Sequence, residues 1–131
     1  MGVCTVKCAF SALCGIGLAL LAAVAAAQDV PSVNPLAGNA KAIAAGESLF
    51  SSMNCDGCHG GGGSGWVGPS LADGRWRFGG DDTALYHSIA HGRPRGMPAY
   101  GELLPEEFIW QLVSYLQQLR APPGVPTQYW P

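Results

Sequence analysis

Charge is scarce in this chain. Only 12% of its 131 residues are Asp, Glu, Lys or Arg, and just seven are basic. A nucleic-acid partner needs a dense basic face, so that class is excluded. No stretch alternates apolar and polar residues as a half-buried strand would, and nothing recurs at a repeat period of about 20–50 residues. Sheet domains and solenoids are therefore not expected. Cysteine is scarce as well once its positions are considered. Of the five, Cys4, Cys8 and Cys14 fall in the first 27 residues, leaving Cys55 and Cys58 for the rest. Two cysteines cannot staple a small exported domain as a disulfide scaffold. The chain is, however, 48% hydrophobic, which argues against wholesale disorder.

Residues 1–27 read as a secretory signal: Lys7, an uncharged run from Ala9 to Ala27, then Ala25-Ala26-Ala27 before Gln28. The 19-residue run could also span a bilayer as an uncleaved anchor, but it is mostly Ala and Gly and no stop-transfer charges follow it. The expected location is the periplasm, with a membrane anchor facing the periplasm as the alternative. Leu13 before Cys14 disfavours a lipoprotein signal.

Residues 28–38 read as a Pro-containing linker, residues 39–120 as the folded domain and residues 121–131 as a Pro-rich tail carrying Tyr129 and Trp130, which are expected to pack back on the domain. Asn39 suits the N-cap of a helix running to Met53. Asp81 or Asp82 can cap a short helix ending at Gly92, with Leu85 and Ile89 on its inner face. Pro105 to Arg120 is the strongest helix, with Pro105 at its start, Glu106 and Glu107 in the first turn and Arg120 at its end. Its expected stripe is Phe108, Leu112, Tyr115 and Leu119, widened by Ile109 and Leu116. The intervening segments read as loops. A helical domain this small and loop-rich needs something to fill its centre.

Cys55-Asp56-Gly57-Cys58-His59 supplies the candidate. Cys-x-x-Cys-His in an exported chain is the attachment pattern of a c-type haem: two thiols one turn apart form thioethers, and the adjacent imidazole of His59 faces the iron. Met97 is the candidate for the opposite axial position. It sits in the loop Arg93–Gly101, and Pro98 drives it toward an extended conformation. A thioether there suits a stable electron carrier, because it favours ferrous iron and raises the potential.

From about Lys41 to Arg120 the chain resembles a class I cytochrome c. The resemblance rests on Gly46-Glu47-Ser48-Leu49-Phe50, Cys55, Cys58 and His59, Gly68-Pro69-Ser70-Leu71, Gly96-Met97-Pro98-Ala99-Tyr100 and Leu112-Val113-Ser114-Tyr115-Leu116. It implies an all-α fold of about three to five short helices around one covalent haem c. It also implies crossing first and last helices, Gly46 admitting Tyr115, and a Pro69 carbonyl that accepts the His59 N–H. Segments 66–101 are similar to small bacterial cytochromes that serve quinoprotein dehydrogenases or terminal oxidases. The expected role is a one-electron carrier between redox proteins, with no small-molecule substrate and no catalysis.

Other readings compete at several positions. Cys55 and Cys58 as a thioredoxin-like pair would need a βαβ setting that is missing. With His87 and His91 they could form a Cys2His2 zinc set, but helix geometry puts both histidines opposite Leu85 and Ile89, toward solvent. Without a Met97 ligand, the protein would shift toward ligand sensing or peroxidase-like chemistry. Gly63 to Gly68 matches G-x-G-x-x-G, yet no strand precedes it and Pro69 follows where a helix should begin. Arg75, Arg77, Arg93 and Arg95 could pair with haem propionates beside Trp76, form a basic rim for a partner, or be ordinary solvated charge.

Overall fold

The computed structural model describes residues 30–120 and Pro123. The leader expected at 1–27 and the tail with Tyr129 and Trp130 lie outside the described residues. Among the described residues four α-helices follow in order, α1 (Ala40–Ser52), α2 (Asp56–His59), α3 (Asp82–His91) and α4 (Glu106–Leu116), with a 3-10 turn at Gly61–Gly63. Among the described residues the only strand-like pairing is an isolated bridge between Arg93 and Met97. The fold is all-α.

The helix starts follow local capping chemistry. The Asn39 side chain accepts from the backbone N–H groups of Lys41 and Ala42, and that of Asp81 accepts from Ala84. Pro105 precedes α4, and its carbonyl accepts from the N–H groups of Phe108 and Ile109. At the other end α4 stops at Leu116, short of the expected Arg120. The Gln118 and Leu119 N–H groups tighten onto carbonyls three residues back. The Gln117 amide leaves the helix to donate to the Gly80 carbonyl and to Asp82, both at 2.9 Å. Arg120 then donates to the Gln117 and Leu119 carbonyls.

Helix α1 crosses α4 as the main helix–helix contact. Gly46 is buried at the crossing, where a β-carbon would overlap the Gln111 carbonyl and stand 2.9 Å from Cβ of Tyr115. The approach lets the Phe50 and Tyr115 rings pack with centroids 5.5 Å apart. The buried face of α4 is Ile109, Trp110, Leu112, Val113 and Leu116. Phe108, expected in that stripe, is 38% exposed, because α4 packs on both α1 and α3 and its inner face is rotated toward Trp110. Trp110 lies 4.5 Å from the Tyr86 ring and donates its indole N–H to Glu106.

The segment expected to be a linker is fixed to the domain over residues 30–38. Asn34 is 3% exposed; its amide donates to the Trp110 carbonyl and to the Ser114 hydroxyl, and its side-chain oxygen accepts from the Leu36 N–H. Its own N–H donates to Asp82. The segment has no helical or strand period because single side-chain anchors, not a repeating face, hold it.

Candidate functional site

The chain leaves α1 at Met53 and reverses at Asn54, whose φ of 58° is a left-handed conformation that asparagine tolerates. The Cys55 N–H bonds back to the Phe50 carbonyl, and the Cys55 carbonyl accepts from Cys58 and His59 at 3.2 and 2.9 Å. The motif thus forms one helical turn, which puts the two thiols on one face. Gly57 allows this, since a β-carbon there would lie 2.5 Å from the Asn54 side chain. Both thiols are free; Cys55 is half-buried, Cys58 exposed, and burial foremost raises the Cys55 pKa.

The His59 ring is held from two sides. Its Nδ1 lies 2.9 Å from the Pro69 carbonyl. A carbonyl can only accept, so Nδ1 carries the proton and Nε2 keeps its lone pair. Gly68 lies against the ring, where a β-carbon would stand 3.0 Å from Cε1 and 3.1 Å from Nδ1. The Gly68 N–H donates to the Cys58 carbonyl and the Gly65 N–H to that of His59, at 2.8 and 2.6 Å. Burial lowers the His59 pKa while the bond to Pro69 pulls the other way, so a neutral imidazole is favoured.

Met97 is half-buried and packs against the buried core, as do Met53, Cys55, Leu71, Trp76 and Tyr100. Its carbonyl accepts from the Arg93 N–H at 3.1 Å, and Arg95 and Gly96, at φ 78° and 107°, turn the chain between them. Tyr100 and Gly101 donate back to the Ile89 and Ala90 carbonyls, tying the loop to α3. Burial, then the charges of Cys55 and Cys58, push the Tyr100 pKa up.

Other expected residues divide. Trp76 is half-buried and lies against Gly80, where a β-carbon would overlap the indole. Arg75 and Arg77 are exposed, and Arg77 lies over Phe78. The Arg93 guanidinium donates twice to the Ser88 hydroxyl, at 3.0 and 2.8 Å, and stacks 4.4 Å from the Phe78 ring. A cleft of about 510 Å³ runs between Leu71–Trp76 and the end of α4, but Cys55, Cys58, His59 and Met97 do not line it. Among the described residues no three His, Cys, Asp or Glu side chains converge on a metal position, so the Cys2His2 set is not assembled.

Sequence reasoning missed Gly68 as the backstop of the His59 ring, and Asn54 and Gly57 as the pair that shapes the turn. The signal for Gly68 was present in Gly68-Pro69; what sequence does not show is which ring it meets.

The residues present fit haem c. Two unpaired thiols share a face, an imidazole is fixed with one nitrogen free, and the Met97 thioether and Cys55 both border the same buried core. Large apolar side chains nearby in sequence stay exposed, Trp66 at 71% and Val67 at 67%. The fold and site define a class I cytochrome c with one covalently bound haem c, which serves electron transport. Solved structures agree: cytochrome CL from Methylophaga aminisulfidivorans superposes with a TM-score of 0.63 at 29% identity, covering 67% of this chain and 59% of that one. Cytochrome cL from Hyphomicrobium denitrificans gives 0.63 at 27% identity, covering 70% and 60%. Residues 41–116 match the family described as cytochrome c oxidase, cbb3-type, subunit III, and the chain belongs to that family. It is 37% identical over 95 residues to the cbb3-type cytochrome c oxidase subunit FixP of Sinorhizobium medicae, which covers 65% of this chain and 32% of FixP. With subunit CcoP of Azospirillum brasilense it shares 31% over 100 residues, covering 71% and 34%. The chain spans about a third of the length of these curated relatives.

Proposed function

We propose that this protein is an exported, soluble one-electron carrier in which Cys55 and Cys58 hold haem c as thioethers and His59 and Met97 are the axial ligands. The observation that carries this reading is the bond from His59 Nδ1 to the Pro69 carbonyl, because it leaves Nε2 as the only lone pair the ring can offer. That bond also fixes the ring plane and raises the basicity of the ligand. Haem c bound there supplies a reversible one-electron couple. The half-buried Met97 thioether, on a loop anchored to α3, favours the ferrous state and keeps small ligands out.

The surface beside the motif suits brief encounters. Cys58, Trp66 and Val67 are exposed, and Gly68 ties their loop to the Cys58 carbonyl. A small apolar contact of this kind fits a transient redox complex. The matched relatives are subunits of cbb3-type oxidases, which supports a terminal oxidase as acceptor; a quinoprotein dehydrogenase is the proposed donor. Residues 1–27 are proposed to direct export to the periplasm and be removed, and residues 39–120 to form the working domain. No helix among the described residues is long and apolar enough to cross a membrane.

The test is a set of visible spectra of the protein made with haem c maturation machinery, oxidised and reduced, with and without carbon monoxide. The wild type is expected to be low-spin, to ignore carbon monoxide and to show the weak far-red band of a ferric iron–methionine bond. Met97→Ala is expected to lose that band and bind carbon monoxide. A wild-type spectrum that shifts with carbon monoxide would remove Met97 from the site and favour ligand sensing or peroxidase-like chemistry.

A further inference from the structure

One chemistry-bearing pair takes no part in the site above. His87 and His91 lie four residues apart on α3, one turn from each other along the helix. Their rings are nearly parallel, 18° apart, with centroids 5.3 Å from each other. His87 is half-buried, with the edge of Tyr86 against it at 6.0 Å, while His91 is exposed at the last residue of the helix. Leu85 and Ile89 on the opposite side are buried, so the pair is held at the surface by a helix anchored in the core.

We propose that His87 and His91 form a second metal site, which chelates one exchangeable divalent transition-metal ion through the two imidazoles. Neutral imidazole nitrogens bind borderline cations at about 2.0–2.1 Å, and adjoining rings one helical turn apart need only side-chain rotation to present two nitrogens to one ion. No third His, Cys, Asp or Glu converges there among the described residues, so water completes the coordination and the ion exchanges readily. Ligand type and the general affinity order give Cu(II) the tightest binding, ahead of Ni(II) and Zn(II). Glu102 lines the same cleft as His91 and is the acidic candidate that cleft offers for an outer contact.

The experiment uses the haem-loaded protein in its ferric state, so that copper finds no electron to take. Cu(II) is titrated calorimetrically and the complex is read by electron paramagnetic resonance, with His87→Asn and His91→Asn as variants. The expected result is one Cu(II) per chain, coupling to two nitrogens, with affinity falling about 100-fold in either variant because the second imidazole acts at high effective concentration. Cu(II) is also expected to raise the melting temperature of the wild type and of neither variant. Unchanged haem spectra and metal-free melting temperatures establish that both variants fold. Binding that survives both substitutions, that depends on one histidine alone, or that is absent from the wild type would overturn the proposal.

Discussion

Substituting Gly46 by alanine tests the crossing of α1 and α4 directly. A β-carbon at Gly46 would overlap the Gln111 carbonyl oxygen, stand 2.7 Å from its carbon and 2.9 Å from Cβ of Tyr115. None of these atoms ends a flexible side chain, so the clash is relieved only by moving one helix off the other. Overpacking costs about 1–3 kcal/mol, and main-chain contact places this case at or above the upper end. Alanine's better helix propensity returns about 1 kcal/mol. The net expectation is a loss of about 2 kcal/mol, or roughly 8–16 °C in melting temperature for a domain of this size. Calorimetry of the haem-loaded wild type and variant measures it, with Gly61→Ala as control. Gly61 has open space around it and no left-handed backbone, so alanine there is expected to be neutral or slightly stabilising. A Gly46→Ala protein that melts at or above the wild-type temperature, or a Gly61→Ala protein that falls equally far, would refute the close-packing argument.

Asn34→Ala removes the donor to Trp110 and Ser114 and the acceptor for Leu36, and is expected to cost about 1–3 kcal/mol, read as a lower urea midpoint at unchanged slope. An unchanged midpoint would mean the N-terminal segment is not clamped. Gly68→Ala is expected to tilt the His59 ring away from the Pro69 carbonyl, lowering haem incorporation and shifting the reduction potential; the ratio of haem to protein absorbance and a redox titration measure both. If neither changes, Gly68 is not the backstop of that ring. Burial and Glu106 raise the Tyr86 pKa, so the unfolded chain ionises first: the stability this contributes is complete below about pH 10 and is lost as pH rises through the folded value. Tyr86→Phe is therefore expected to lose stability less steeply above pH 10 in denaturant titrations, and an alkaline slope equal to that of the wild type would contradict it.

Features encoded by neighbours in sequence were legible before the fold was known. Asn39, Asp81, Gly92 and Pro105 mark helix ends where short-range geometry decides them, and each stands at or beside the end it predicts. The Gly46–Tyr115 approach and the acceptance of the His59 N–H by the Pro69 carbonyl followed from the family resemblance, and the fold contains both. What was illegible depends on partners distant along the chain. Asn34 looks like an ordinary loop asparagine until Trp110 and Ser114 arrive from 76 and 80 residues away. The choice between Phe108 and Trp110 for the inner face of α4 depends on α3 as well as α1, which no period in α4 alone can specify. The early end of α4 has the same origin, since Gly80 and Asp82 draw off the Gln117 side chain.

The bond between Asn34 and Ser114 has a further consequence. It brings the beginning of the folded unit against its last helix, and the Ser114 hydroxyl also reaches the Leu36 carbonyl at 3.3 Å. A contact made 80 residues apart closes most of the described domain into one loop, so the segment leading into α1 cannot detach without giving up its hold on α4. Loop-closure cost grows slowly with length, so holding this long-range contact costs little more than closing a much shorter loop.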